Sequence, residues 1–221
     1  GGDAERRRRF VLEVYKSIRA ATGPDFSVGI KMNSADFQKG GFSEEESLDV
    51  VRALSEAGID MIEISGGTYE APVMAGVTRE PMKESTIRRE AYFLEFAEKA
   101  RAATKTPLML TGGFRSVAGM SAAIESGAVD FIGLARLLAI EPDAPLRLVA
   151  GQEPREAVRA VKTGIAAIDR MALLEVAWYA RQLRRMGHGG EPKPRESAIW
   201  SFLASVSETG WGTMKTRRLR A

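Results

Sequence analysis

Residues 107–136, PLMLTGGFRSVAGMSAAIESGAVDFIGLAR, change hydrophobic period twice in a short space. Pro107 to Thr111 is an apolar run ending in Gly112-Gly113. Ser116 is placed to cap a helix whose apolar positions Met120, Ala123 and Ile124 fall at helical spacing, and Gly127 suits the left-handed residue that ends it. Phe131 and Ile132 begin a second strand that runs into Gly133-Leu134-Ala135-Arg136. Strand, helix, strand in this order calls for parallel neighbours joined by a crossover. It leaves two strand ends side by side, each with small residues and an arginine. Small residues let backbone N–H groups approach an anion closely, and a helix start adds a favourable dipole. A phosphate suits that arrangement; two ordinary turns of an α/β protein would also produce it.

The alternation extends upstream. Residues 5–21 have helical period, with Phe10, Val14 and Ile18 in one row and Val11 and Tyr15 beside it. The arginine run Arg6 to Arg9 reads as a solvated helix face, and Gly23-Pro24 ends the helix. Val28 to Met32 is a strand with Lys31 near its C-terminal end. Ser43 and Glu46 form a capping box for a helix carrying Leu48, Val51 and Leu54, closed by Gly58. Met61 to Ile64 is the next strand. Residues 68–90 are a long polar insertion, and Tyr92 to Ala103 is helical again with Phe93, Phe96, Ala97 and Ala100 on one face. A faint repeat is visible: Gly58-Ile59-Asp60-Met61-Ile62 resembles Gly127-Ala128-Val129-Asp130-Phe131-Ile132. Four strands alternating with helices, with polar residues after the strands, predict βα units of a barrel whose active face lies at the strand C-termini. Beyond Arg136 the spacing predicts a helix over 145–151 and one or two helices over 154–186, with Ile165, Ile168, Leu173, Val176 and Leu183 as candidate buried positions. The tail carries Trp200, Phe202 and Trp211.

Composition excludes some functions. Net charge is +3, from 32 basic and 29 acidic residues, too even a balance to imply a nucleic-acid partner. There is no cysteine, so neither disulfides nor thiolate chemistry is open to the chain. This fits a reducing, cytoplasmic setting. No apolar run has the length of a membrane span, and no secretory signal is visible. The sole histidine, His188, stands in a glycine-rich loop where surface exposure is expected, and no metal-ligand constellation appears. The first residue is Gly1 rather than Met, which reads as a piece of a longer chain or a processed one.

Four segments together resemble the C-terminal half of the Old Yellow Enzyme family, the NADH:flavin oxidoreductases that hold FMN in a (β/α)8 barrel. GGDAERRRRF resembles the family's GGS-x-EN-R-x-RF segment, with Asp3 and Arg6 departing from it. VGIKMNSADF resembles its fifth strand, and LTGGF and DFIGLAR resemble its two phosphate-binding turns. The similarity covers residues 1 to about 150 and, more loosely, residues to about 186. It implies an α/β fold: half of a TIM-type (β/α)8 barrel, about four βα units, over 1–150, and a helical C-terminal extension over 151–221 packed on the barrel.

The resemblance also implies site residues. Lys31 matches a basic residue at the flavin pyrimidine edge, where a cation favours the reduced state; a strand-end salt bridge is the plainer reading. Gly112 and Gly113 match backbone donors to the FMN phosphate. Ala135 and Arg136 match a Gly-Arg pair holding the same phosphate, with Ala135 departing from glycine. Arg115 is a second phosphate contact or, the favoured reading, a solvated helix-start residue, and Tyr69 is either a pocket residue or a loop anchor. The family's carbonyl-binding His/His or His/Asn pair and its proton-donating tyrosine belong to the half not represented, so no catalytic residue is assigned here. The expected activity of the intact protein is hydride transfer from NAD(P)H through FMN to an activated alkene, such as an α,β-unsaturated carbonyl. The expected partners are a small-molecule substrate and either further copies of the chain or a missing N-terminal half. The alternatives are a non-catalytic half-barrel that binds phosphate or a partner chain, and a lyase or isomerase of another barrel family using Lys31 and Glu63 as its acid/base pair.

Overall fold

The computed structural model describes residues 2–36, 40–65, 94–112, 114, 116–169, 173–204 and 207. They belong to two compact units, Gly1–Leu134 and Ala135–Ala221. The insertion over 68–90, with Tyr69, and also Phe93, Gly113, Arg115 and Trp211 lie outside the described residues.

The first unit contains α1 (Ala4–Thr22), β1 (Gly29–Asn33), α2 (Glu44–Glu56), β2 (Met61–Ser65), α3 (94–103), β3 (Leu108–Thr111), α4 (Val117–Glu125) and β4 (Phe131–Gly133). The strands form one sheet in the order β1-β2-β3-β4, and every pairing is parallel. β1 and β2 run one residue past the predicted ends, into the polar positions Asn33 and Ser65, and β4 ends at Gly133.

Local chemistry sets the helix limits. Asp3 caps α1 by accepting from the Arg6 N–H, and Gly23 ends the helix at φ 81°. The predicted capping box of α2 is present in both directions, Glu46 N–H to Ser43 Oγ and Ser43 N–H to Glu46 Oε2. Ser116 caps α4 through the Gly119 N–H.

Strand alternation divides the sheet into two faces. Ile62, Ile64, Leu108 and Leu110 are fully buried together with Val51, Leu54, Phe96, Ala97, Ala100 and Ala123 of the helices. The register places Lys31, Glu63, Met109 and Phe131 in one row on the opposite face. This row is half-buried to exposed, ending in Phe131 at 48%. The hydrophobic layer therefore lies between sheet and helices, and the other face carries polar side chains of the strands.

The aspartates of the faint repeat do the same work at the strand N-termini. Asp60 Oδ2 accepts from the Val28 N–H at 2.7 Å and pairs with Arg19; Asp130 Oδ2 accepts from the Leu108 N–H at 2.8 Å and pairs with Arg101. Each arginine also donates to carbonyls of the loop entering the neighbouring strand, among them Phe26 and Thr106. Each unit thus ties one strand's start to the helix and loop before it.

Helical spacing alone does not tell which face of a helix is buried. The row Phe10, Val14 and Ile18 of α1 is exposed, Phe10 at 78%, while Tyr15 is buried and donates its hydroxyl to the Gly58 carbonyl at 2.6 Å. The tyrosine's polar tip needs a partner, and that contact fixes which side of α1 faces the sheet. In α4, Met120 and Ala123 are buried but Ile124 is not.

The second unit contains α5 (Ala144–Val149), α6 (Ala166–Asp169), α7 (Leu173–Gly187) and α8 (198–204). The expected helix over 154–186 is interrupted: 154–165 is irregular. Glu141 holds this stretch by accepting from the Glu156 N–H and the Arg155 guanidinium, and Asp169 caps the N–H groups of Thr163 and Gly164. Ile165, Val176 and Leu183 are exposed, against expectation. The buried side of α7 is Leu174, Trp178 and Gln182, an i, i+4, i+8 row, with Tyr179 beside it. That row is selected by a polar clasp. Trp178 Nε1 donates to the Glu196 carbonyl, while the Glu196 carboxylate receives Gln182, Arg185 and Arg181. Among the described residues no helix is long and apolar enough to cross a membrane.

Candidate functional site

The open face of the sheet gathers polar side chains from the middle of β1 and β2 and from the C-terminal end of β3. Lys31 on β1 and Glu63 on β2 are register partners, and the Lys31 ammonium forms an ion pair with Glu63 Oε1. The same oxygen accepts from the Thr111 hydroxyl at 2.6 Å. Three adjacent strands thus contribute one side chain each to a single cluster. The fourth contributes the absence of one. Gly133 is the register partner of Thr111, and a Cβ built there would lie 1.7 Å from Thr111 Oγ1. Only glycine leaves that hydroxyl its place.

Burial alone would raise the pKa of Glu63. The Lys31 ammonium and the Thr111 hydroxyl outweigh burial and hold the carboxyl below the usual glutamate value, so it is ionised at neutral pH. The lysine side chain is 52% exposed and the glutamate 22%. An ammonium has three N–H donors, and the carboxylate takes one of them. Directly past the strands, Gly112 has φ 129°, a conformation that favours glycine, and Ser34 Oγ is buried with no hydrogen-bond partner among the described residues.

The expected site residues divide between the two units. Lys31 stands in the middle of β1 rather than near its C-terminal end as expected, Gly112 follows the end of β3, and Gly113 lies outside the described residues. Ala135 and Arg136 open the second unit, where Ala135 is exposed and the Arg136 guanidinium lies 3.6 Å from the Glu175 carboxylate of α7. His188 is exposed. Sequence reading missed Thr111, because a threonine at a strand end looks like ordinary β propensity. The spacing of the glycine at 133, one residue beyond the apolar pair, is the signal that could have found it.

Residues 1–154 match the sequence profile of the NADH:flavin oxidoreductase / NADH oxidase family. The chain belongs to that family. A relative is the NADH-dependent flavin oxidoreductase iccE of Talaromyces variabilis, 33% identical over 205 residues, which cover 86% of this chain and 49% of that protein. Among solved structures, a 2-naphthoyl-CoA reductase matches with a TM-score of 0.58 and 25% identity, over 69% of this chain and 22% of that one. An old yellow enzyme homologue from Zymomonas mobilis matches with a TM-score of 0.52 over 73% of this chain and 41% of that one; at 19% identity it supports the fold alone. The chain spans about half or less of the length of these relatives.

FMN and a reduced nicotinamide are the cofactors that membership brings. The groups on this face fit a flavin in kind: a cation on a half-exposed stem and, past β3, a glycine at φ 129° where only a small residue is at ease.

Proposed function

We propose that the protein carrying this chain is an FMN-dependent oxidoreductase. In this reading residues 1–150 are the C-terminal half of its (β/α)8 barrel and 151–221 a helical extension. Bound FMN supplies hydride transfer from NAD(P)H to an activated alkene, such as an α,β-unsaturated carbonyl. The residues of this chain bind and orient the flavin. Lys31 presents its ammonium to the pyrimidine edge, where a fixed cation stabilises negative charge. The backbone N–H groups of Gly112, Gly113 and Ala135 and the Arg136 guanidinium receive the phosphate, using small residues and a charged fork. No residue of this chain is assigned as the proton donor or carbonyl-binding group. Those roles fall to the part of the longer relatives that it does not span.

The observation that carries the reading is the Lys31–Glu63–Thr111 cluster on the open face of the parallel sheet, in a chain of this family. The competing use of Lys31 and Glu63 as an acid/base pair takes the ammonium as acid and the carboxylate as base. The lysine and the Thr111 hydroxyl both engage Glu63 Oε1 and lower its pKa, which makes it a weaker base. The test is the purified protein's absorbance spectrum together with enone reduction driven by NAD(P)H. A flavin spectrum that bleaches with NAD(P)H and recovers with enone is the expected result; a colourless protein that takes up no FMN contradicts the reading.

A further inference from the structure

We propose that Glu63 is the positioning residue of the flavin site: it anchors the Lys31 ammonium and offsets part of its charge, and so sets how strongly reduced flavin is favoured. The inference rests on the reading in which Lys31 meets the pyrimidine edge.

Geometry carries it. Lysine is a point charge on a flexible four-carbon stem, and without an anchor its head samples many positions. Here the anchor is built into the sheet. Glu63 lies directly opposite Lys31 in the β1–β2 register. Its own carboxylate is fixed from the far side by Thr111 on β3, through the same oxygen that meets the lysine. Thr111 in turn keeps its rotamer because Gly133 on β4 has no Cβ. One polar chain therefore crosses β3, β2 and β1 and ends at the ammonium. An anion facing reduced flavin beside that cation is destabilising, so the carboxylate moderates what the lysine does. Its lowered pKa keeps the charge present at neutral pH.

Two readouts test this on the protein with and without FMN. The first follows acylation of Lys31 by mass spectrometry. A lysine head held against a carboxylate meets an acylating reagent less freely than one on a mobile stem. Glu63→Gln is expected to speed Lys31 labelling several-fold in the FMN-free protein, and Thr111→Val to do so by less. FMN is expected to protect Lys31 in the parent protein. The second readout is the ratio of reduced-to-oxidised flavin affinity, measured as a midpoint potential. Glu63→Gln keeps the shape and an acceptor for Thr111 while removing the charge. It is expected to raise the ratio about tenfold, about 30 mV for two electrons. Lys31→Met is expected to lower it.

Labelling of Lys31 that ignores both Glu63→Gln and Thr111→Val overturns the anchor. A potential unmoved by Glu63→Gln but lowered by Lys31→Met overturns the tuning role while leaving the flavin contact standing. Absence of FMN protection together with a potential unmoved by Lys31→Met removes the contact itself, and the inference with it.

Discussion

At the scale of single residues, the open face of the sheet is organised by one hydroxyl and one missing side chain. Thr111 Oγ1 occupies the space where a Cβ of residue 133 would stand, and its own Cβ would be only 2.8 Å from that atom. Gly133→Ala therefore forces an overpacked contact that rotating the threonine alone does not relieve. The expected cost is about 1–3 kcal/mol, read as a lower midpoint in urea, and an unchanged midpoint would contradict it. Lys31 was legible in the sequence as a basic residue in an apolar strand, and its register partner Glu63 as a nearby acid. The bond from Thr111 to that acid was not legible. It depends on the β2–β3 register, which no local pattern of the chain states.

At the scale of elements, the strands and caps were readable because their causes are local. Ser43 with Glu46, Ser116 and Gly23 act within a few residues of themselves. Helix faces were less readable. The exposed row Phe10, Val14 and Ile18 has helical period as good as that of the side carrying Tyr15, and a tertiary bond to Gly58 made the choice. In α7 the clasp around Glu196 likewise selected Trp178 and Gln182 over the more apolar Val176 and Leu183. The Asp60 junction carries a pH dependence. The Val28 N–H and then the Arg19 guanidinium hold the Asp60 carboxyl below its ordinary value of 3.8. A group with a lowered folded-state pKa contributes stability that is full above the unfolded value and is lost as pH falls through the folded one. Glu63, Glu141 and Glu196 have the same sign against 4.5. Stability is expected to be flat near neutrality and to fall between about pH 5 and pH 3, with a shallower fall in Asp60→Asn. Urea midpoints measured across that range check it; equal slopes in both proteins would remove Asp60 from the account.

At the scale of the whole molecule, the sheet has four parallel strands, and among the described residues β1 and β4 each pair with one neighbour. A closed barrel of this type has eight strands and fills its interior with side chains. We expect the 221-residue chain by itself to associate or to unfold easily, because edge strands and a half-exposed inner face seek partners. We also expect it to reduce enones no faster than free FMN. Size-exclusion chromatography with light scattering and an enone assay test both; a well-behaved monomer that turns over would contradict the half-barrel reading. We expect Arg136 to contribute to FMN binding, as the proposed function requires, and a flavin titration of the whole protein measures this directly. Charged hydrogen bonds contribute about 1.5–3 kcal/mol, so Arg136→Ala should weaken FMN roughly ten- to a hundredfold. Unchanged affinity accompanied by a lower melting temperature would assign Arg136 to its contact with Glu175 instead and contradict the phosphate site.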